Sequence, residues 1–469
     1  QIPGLIERQS QCPEIRYENL TPDQKAACDG IVDFLTQPPA GQQQVLTGYS
    51  GTGKTTVAPI AVKRALKESK VLKPSDILLA GPTHKACGVI SSTFHKAGLT
   101  LDVATYAAML GMRGSIDERT GEEVFSPDSS APECFSNYSI IIADEASMLV
   151  HSLKELIDSR ISLFQRILWI GDRAQIPPIE KLSANPGEEE DPIESPVFQY
   201  PGWTLEEVVR YDGNLARLGE VIRLDITCPS LPRFRDFSDN QTVFALPPKL
   251  WQDGLLGCFT SDEAEDPDYV RVLSWRNEVV DNYNQLIHQA RFGQDASEFC
   301  VGETVVANKP CLSEPRSLGV PPDVLLPNGC EAEIIGIRQG VILDVPVFFL
   351  DCLTEHGYRE NITLKVVRSV GKAGYSKRLQ GLKNKALQAP PLTRGKAWVA
   401  FYQFQEEFHP ASLAYALTAH KSQGATFQYV FVDNHDISTC RGDIHRNTLR
   451  NKMLYTASTR AAKSAFFKV

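Results

Sequence analysis

Short apolar runs recur along the chain, and several of them end abruptly in a polar tail. Val45-Leu46 leads into Gly48-Tyr49-Ser50-Gly51-Thr52-Gly53-Lys54-Thr55, and TVAPIAVKRALKES after it spaces its apolar residues as a helix does. YSIIIADEAS stops at Asp144-Glu145, RILWIGDRAQIPPI at Gly171-Asp172, LLAGPTHKA at Thr83-His84 and AYALTAHKSQG at Thr418. Continuous runs of this kind read as strands buried on both faces of a parallel sheet, whose carboxyl ends gather ligand-binding groups. The pattern changes after residue 300. VGETVVANKPC, NGCEAEIIGI and VPVFFLDCL are short β runs separated by turn residues, and they predict a small barrel. In GMRGSIDERTGEEVFSPDSSAP, two extended arms flank a polar turn at DERTG.

Composition narrows the class without naming a chemistry. At 469 residues the chain has room for two to four domains, taking roughly 150 residues for each. Its 42% hydrophobic and 22% charged residues are ordinary for a soluble globular protein. Nowhere does it approach the roughly eighteen consecutive apolar residues of a membrane helix. The opening QIPGLIERQSQCPEI lacks the layout of a secretory signal, so the cytoplasm of a bacterial or phage-infected cell is the expected compartment, or the nucleus of a eukaryotic one. Eleven cysteines with no C-x-x-C pair fit reduced, packed thiols, and no structural zinc is expected. DNHDISTCRGDIHRN carries possible ligands at no familiar zinc spacing and is expected to be a polar loop.

A net charge of −9 argues against a surface that attracts nucleic acid everywhere, but the charge is uneven. Residues 361–405 hold nine Lys or Arg and no Asp or Glu, whereas EEED and DEAEDPD concentrate acid elsewhere. The basic stretch reads either as a local polyanion track or as a solvated basic loop.

The segment from Gly48 to Thr56 has the spacing and the strand-to-helix setting of a P-loop. Backbone N–H groups of Gly48, Ser50, Gly51, Thr52, Gly53 and Thr56 would wrap a polyphosphate. Lys54 would reach its β and γ groups, and the Thr55 hydroxyl would take one Mg2+ position. Asp144 would hold the same Mg2+ through water, while Glu145 orients and deprotonates the attacking water. Gln175, at the end of a third strand, would contact the γ phosphate. ATP and Mg2+ are the expected cofactors.

The order of P-loop, AGPTHKA, DEAS, GDRAQIPP, LEEVVR, ALTAHKSQGAT and LYTASTRA resembles the superfamily 1 helicases, and is most similar to their 5'-to-3' branch of Dda-like and RecD-like DNA helicases. The resemblance runs as ordered motifs from residue 20 to 465. It implies that Gln24 of LTPDQKAA reads the adenine edge and that Arg210 and Arg460 reach the γ phosphate from a second motor domain. An arginine finger of that kind is worth roughly a thousandfold or more in rate. It also implies that Thr83, His84, Thr105, Thr418, His420 and Lys421 contact single-stranded DNA, while Gln423 and Gly424 face the nucleotide. Phe125, in the expected pin, is either a wedge or base-contacting aromatic or a buried loop residue.

The fold expected from the motifs and the resemblance is α/β, with two tandem RecA-like P-loop motors. The first comprises 1–110 and 134–200, interrupted by a β-hairpin pin at 111–133. The second comprises 201–300 and 410–469, interrupted by an SH3-like barrel at 301–409 that carries the basic segment. The expected activity is ATP-dependent translocation on single-stranded DNA, 5' to 3', with unwinding of duplex. An RNA helicase or ribonucleoprotein remodeller, and a nucleotide-switched clamp on single-stranded DNA, are the alternatives. Single-stranded and forked DNA and replication or repair proteins are the expected partners of a monomer that binds no membrane.

Overall fold

The computed structural model describes residues 16–37, 42–116, 123–127, 133–177, 194–207, 213–314, 323–354 and 361–469, with backbone alone at 113–116 and 123–127. Six parallel strands form the first sheet, in the order Asp102–Thr105, Ile77–Gly81, Ile140–Ala143, Arg166–Gly171, Gln43–Gly48 and Gly202–Leu205. Alternate residues of its strands feed two apolar layers. Leu46, Leu79, Ile142 and Ile170 pack under the helices Pro22–Thr36, Lys54–Glu68 and His84–Lys96, while Val45, Leu78, Ile141 and Trp169 pack against Tyr106 and Phe198. Coverage on both faces explains why these strands read as unbroken apolar runs.

A second parallel sheet runs Ala416–Thr418, Val270–Ser274, Phe427–Val432, Ala461–Lys468 and Val243–Leu246. These two sheets are the RecA-like motors. Between their segments lies a five-stranded antiparallel sheet of Ile362–Val367, Val345–Thr354, Glu331–Ile342, Thr304–Ala307 and Ala411–Leu413. The arms read in the pin segment pair antiparallel as Met112–Ile116 with Glu123–Pro127.

Three sequence expectations change. The second motor does not begin at 201, because Gly202–Leu205 is the edge strand of the first sheet. A Cβ at Gly202 would sit 1.8 Å from the Val45 carbonyl oxygen, so only glycine lets this strand close on its neighbour. Most of the basic stretch is helical: past the sheet strand Ile362–Val367, Ser369–Gln388 and Pro391–Glu406 are two helices. Tyr375, Leu379, Leu382 and Ala386 make an i, i+4, i+7, i+11 stripe, and they pack on Phe404, Phe408, Trp398 and Phe401. DNHDISTCRGDIHRN, expected as a polar loop, contains the helices Asn434–Ser438 and the start of Ile444–Ser458. Its Asp436 carboxylate accepts from the Ser274 hydroxyl at 2.6 Å and from the Trp275 and Arg276 N–H groups at 2.9 Å, which fixes the end of a core strand.

Candidate active site and nucleic-acid track

The strand Gln43–Gly48 turns through Tyr49–Gly53 into the helix Lys54–Glu68. Gly51 and Gly53 both stand at φ 84°, left-handed backbone that a β-carbon would strain, and Gly53 caps the helix. The turn exposes the N–H groups of the first helical turn, where the helix dipole favours an anion. Lys54 Nζ donates to the carbonyls of Gly48 and Tyr49, each at 2.8 Å, so the ammonium lies folded against the loop it serves. Ser50, Gly51, Gly53, Lys54 and Thr55 line a cleft of about 170 Å³ together with Asp144, Glu145, Gln175, Gly424 and Arg460.

Ile140–Ala143 delivers Asp144 and Glu145 to that cleft. Burial and the adjacent Glu145 carboxylate push the Asp144 carboxyl up to about 7, while the Glu145 N–H and the Lys54 ammonium pull the other way. Two carboxylates held side by side next to a hydroxyl, Thr55, form a hard oxygen donor set of the kind that magnesium suits. Glu145 adopts φ 52°, a conformation rare for a residue with a side chain. Gln175 is buried, and its Oε1 has no hydrogen-bond partner among the described residues, as suits an amide kept for a ligand or water.

The second motor closes on the same loop. Arg460 Nη2 donates to Ser50 Oγ at 3.2 Å, and its remaining nitrogens hold the carbonyls of Ala425 and Thr456. Tyr455, which the motif reading passed over, accepts from the Ser50 N–H at 3.0 Å and donates to Asp172 Oδ2 at 2.7 Å. Gln423 Nε2 donates to the Ile176 carbonyl at 3.2 Å, next to Gln175, and only its neighbour Gly424 lines the cleft. Gln423 therefore grips the first motor's backbone and does not face the nucleotide pocket. Gln24 is buried and makes a bond on each side of its amide. Its Oε1 accepts from the Thr21 N–H at 3.0 Å and its Nε2 donates to the Thr52 carbonyl at 2.8 Å, so it caps its own helix and props the P-loop. Thr56 opens the P-loop helix, while Gly48 ends the strand with no room for a β-carbon, the Leu205 carbonyl being 2.6 Å away. Arg210 lies outside the described residues.

The expected nucleic-acid contacts share one local device. Thr83, Thr105 and Thr418 each accept a backbone N–H three residues on, from Ala86, Ala108 and Lys421, at 3.2 to 3.3 Å. Each hydroxyl thereby caps the helix or turn that follows a strand, with its own O–H left to donate. Burial pushes the His84 and His420 imidazoles and the Lys421 ammonium down from their ordinary values. Lys421 Nζ donates to Asn308 Oδ1 on the inserted unit. Phe125 sits in the strand Glu123–Pro127, and its side chain lies outside the described part of the structure.

Comparison with known proteins matches this geometry. Residues 38–181 match the AAA domain family and residues 413–467 the UvrD-like helicase C-terminal domain family. The chain is 25% identical to the ATP-dependent DNA helicase dda of Enterobacteria phage T4, over 96% of this chain and 99% of that protein. It is 28% identical to the RecBCD enzyme subunit RecD of Buchnera aphidicola over 37% of this chain and 29% of that one. The crystal structure of Pif1 helicase from Candida albicans shares the fold, with a TM-score of 0.50 and 15% identity over 96% of this chain and 94% of that one. With the ordered motifs on two RecA-like sheets that meet at one P-loop, these matches make the chain similar to the superfamily 1 helicases.

Proposed function

We propose that this chain is an ATP-dependent DNA helicase that translocates 5' to 3' on single-stranded DNA and separates duplex ahead of it. One observation carries the motor reading: Ser50 of the P-loop is held by two residues of the opposite motor, Arg460 and Tyr455. A γ phosphate entering there would compete for the same Ser50 groups, so nucleotide state and motor closure are coupled. Arg460 supplies charge to the transferring phosphoryl group, with Arg210 as its partner; Glu145 activates water; Thr55 and Asp144 would hold Mg2+, which would supply charge against the phosphates. The DNA reading rests on Thr83, His84, Thr105, Thr418, His420 and Lys421 at the strand ends of both sheets, and on the similarity to a DNA helicase over nearly the whole chain. Polarity follows the resemblance to the 5'-to-3' branch. The hairpin 112–127 serves as the pin, the antiparallel insert as the SH3-like element, and the protein acts as a monomer.

Strand separation on duplexes with a single tail tests this directly. Unwinding with ATP is expected from a 5' single-stranded tail and not from a 3' tail. Unwinding from the 3' tail alone would reverse the polarity, stronger stimulation by matched RNA would move the substrate, and binding without unwinding would leave a clamp.

A further inference from the structure

On the ATPase reading the phosphate cleft has a γ end. On the other side of the P-loop Tyr49, Arg223 and Tyr455 border a cavity of about 360 Å³, with the Arg223 guanidinium 3.7 Å from the centre of the Tyr49 ring. At the γ end stand Glu145, Gln175 and Arg460. A β-carbon on Gly424 would lie 3.7 Å from Glu145 Oε1, so that glycine lies against the carboxylate assigned to activate water. Hydrolysis leaves inorganic phosphate at this end, with ADP still on the P-loop.

A second cavity of about 340 Å³ opens from the γ end, because Val89, Thr93, Gly424 and Thr426 line both spaces. One wall is a single face of the helix His84–Lys96, where Lys85, Gly88, Val89, Ser92, Thr93 and Lys96 fall at i, i+3, i+4, i+7, i+8 and i+11. A cation stands at each end of that face, with hydroxyls between. Lys85 Nζ is bound to Glu331 Oε1 at 2.8 Å, and Arg271 Nη2 holds the other oxygen of Glu331 at 2.7 Å. Lys85 can therefore turn to a passing anion while Arg271 keeps Glu331 matched. Asp268, the other acid in the wall, is held above the ordinary carboxylate range by burial.

We propose that this second cavity is the exit for inorganic phosphate, taken from the γ end along the Lys85–Lys96 face while ADP still occupies the P-loop. It rests on the ATPase reading above. The cavity gives the product a route that does not wait for ADP, and product release is a common limit on turnover.

Gly88 makes the test clean. A β-carbon there meets nothing within 4 Å, and Gly88 is a helical residue, so Gly88→Leu fills the cavity while raising helix propensity, and Gly88→Ala leaves it open. Single turnovers of the wild type and both variants on single-stranded DNA are followed by acid quench for bond cleavage and by a fluorescent phosphate-binding protein for release. In Gly88→Leu, cleavage should stay within about twofold of wild type while release slows by roughly tenfold and becomes limiting. Oxygen exchange between water and the retained phosphate should rise with it. Gly88→Ala should behave as wild type. Release that keeps pace with cleavage in Gly88→Leu, or cleavage that slows while release does not, overturns the exit. A wild-type protein that produces no phosphate at all sinks the ATPase reading instead.

Discussion

Glu145 stands at φ 52° and ψ 42°, and a side-chain-bearing residue in that region costs on the order of 1 kcal/mol or more unless its surroundings hold it. The strain belongs to the carboxylate assigned to activate water, and its neighbour Asp144 carries a second cost. With its pKa lifted from 3.8 to about 7, Asp144 stays protonated in the fold at pH values where the unfolded chain has already ionised. Stability is thus lost as pH rises from about 4 to about 7 and is constant above that. Asp144→Asn is expected to raise thermal stability at pH 8 by about 2 to 4 kcal/mol without metal, to change it little near pH 4, and to remove Mg2+-dependent ATPase. Equal stabilisation at both pH values would mean that the charge of Asp144 is not what strains the site. The glycines, Lys54 and both carboxylates were legible because short motif spacing dictates local backbone and therefore where each group points. Tyr455 was not: its bond to Ser50 joins positions 405 residues apart, and nothing in a helical LYTAS segment announces a partner so distant. At Gln24 the spacing is ambiguous, since a capping box and an adenine reader place the same amide at the same helix start.

The two motor sheets were readable as elements because burial on both faces turns their strands into plain apolar runs. The helical pair 369–406 was missed because its apolar stripe is narrow and its surface is small and basic, so its seven cations drew more notice than the spacing of Tyr375, Leu379 and Leu382. One tie between that pair and the insert runs through a histidine. His409, just past the second helix, accepts the Lys365 N–H on Nδ1 at 3.0 Å and donates from Nε2 to the Leu312 carbonyl at 2.9 Å, which fixes it as a neutral ring. Burial lowers its pKa to about 4. Because the folded value lies below the ordinary 6.5, its contribution is complete above about pH 6.5 and is lost as pH falls towards 4, by about 3 kcal/mol in all. Hydrogen-exchange protection at Lys365, corrected for intrinsic rates, is expected to fall between pH 7 and 4.5. In His409→Leu it should be low at both values, and a wild-type profile flat with pH would show that the ring does not carry the link.

At the scale of the molecule, three bodies meet at Glu331. The insert provides the carboxylate, the second motor provides Arg271, and Lys85 reaches across from the first motor, with exposures of 10%, 4% and 22% for the side chains. The carboxyl stays below its ordinary range because both cations outweigh its burial. The arrangement is asymmetric. Removing Lys85 leaves a matched Glu331–Arg271 pair inside one half of the molecule, so Lys85→Met should cost about 1 kcal/mol or less in stability. Removing the carboxylate leaves two cations facing each other in a largely buried seam, and Glu331→Gln should cost about 3 kcal/mol, the low end of the range for deleting one partner of a buried pair. Yet Lys85 is the member of the triad that crosses the seam, so its loss should favour separation of the motors. Fluorescence energy transfer between labels on the two motors, without nucleotide, is expected to report a wider cleft for Lys85→Met, while its melting temperature stays near wild type. If instead both variants melt alike and the labels do not move apart, the ion pair is packing within the seam and does not hold it shut.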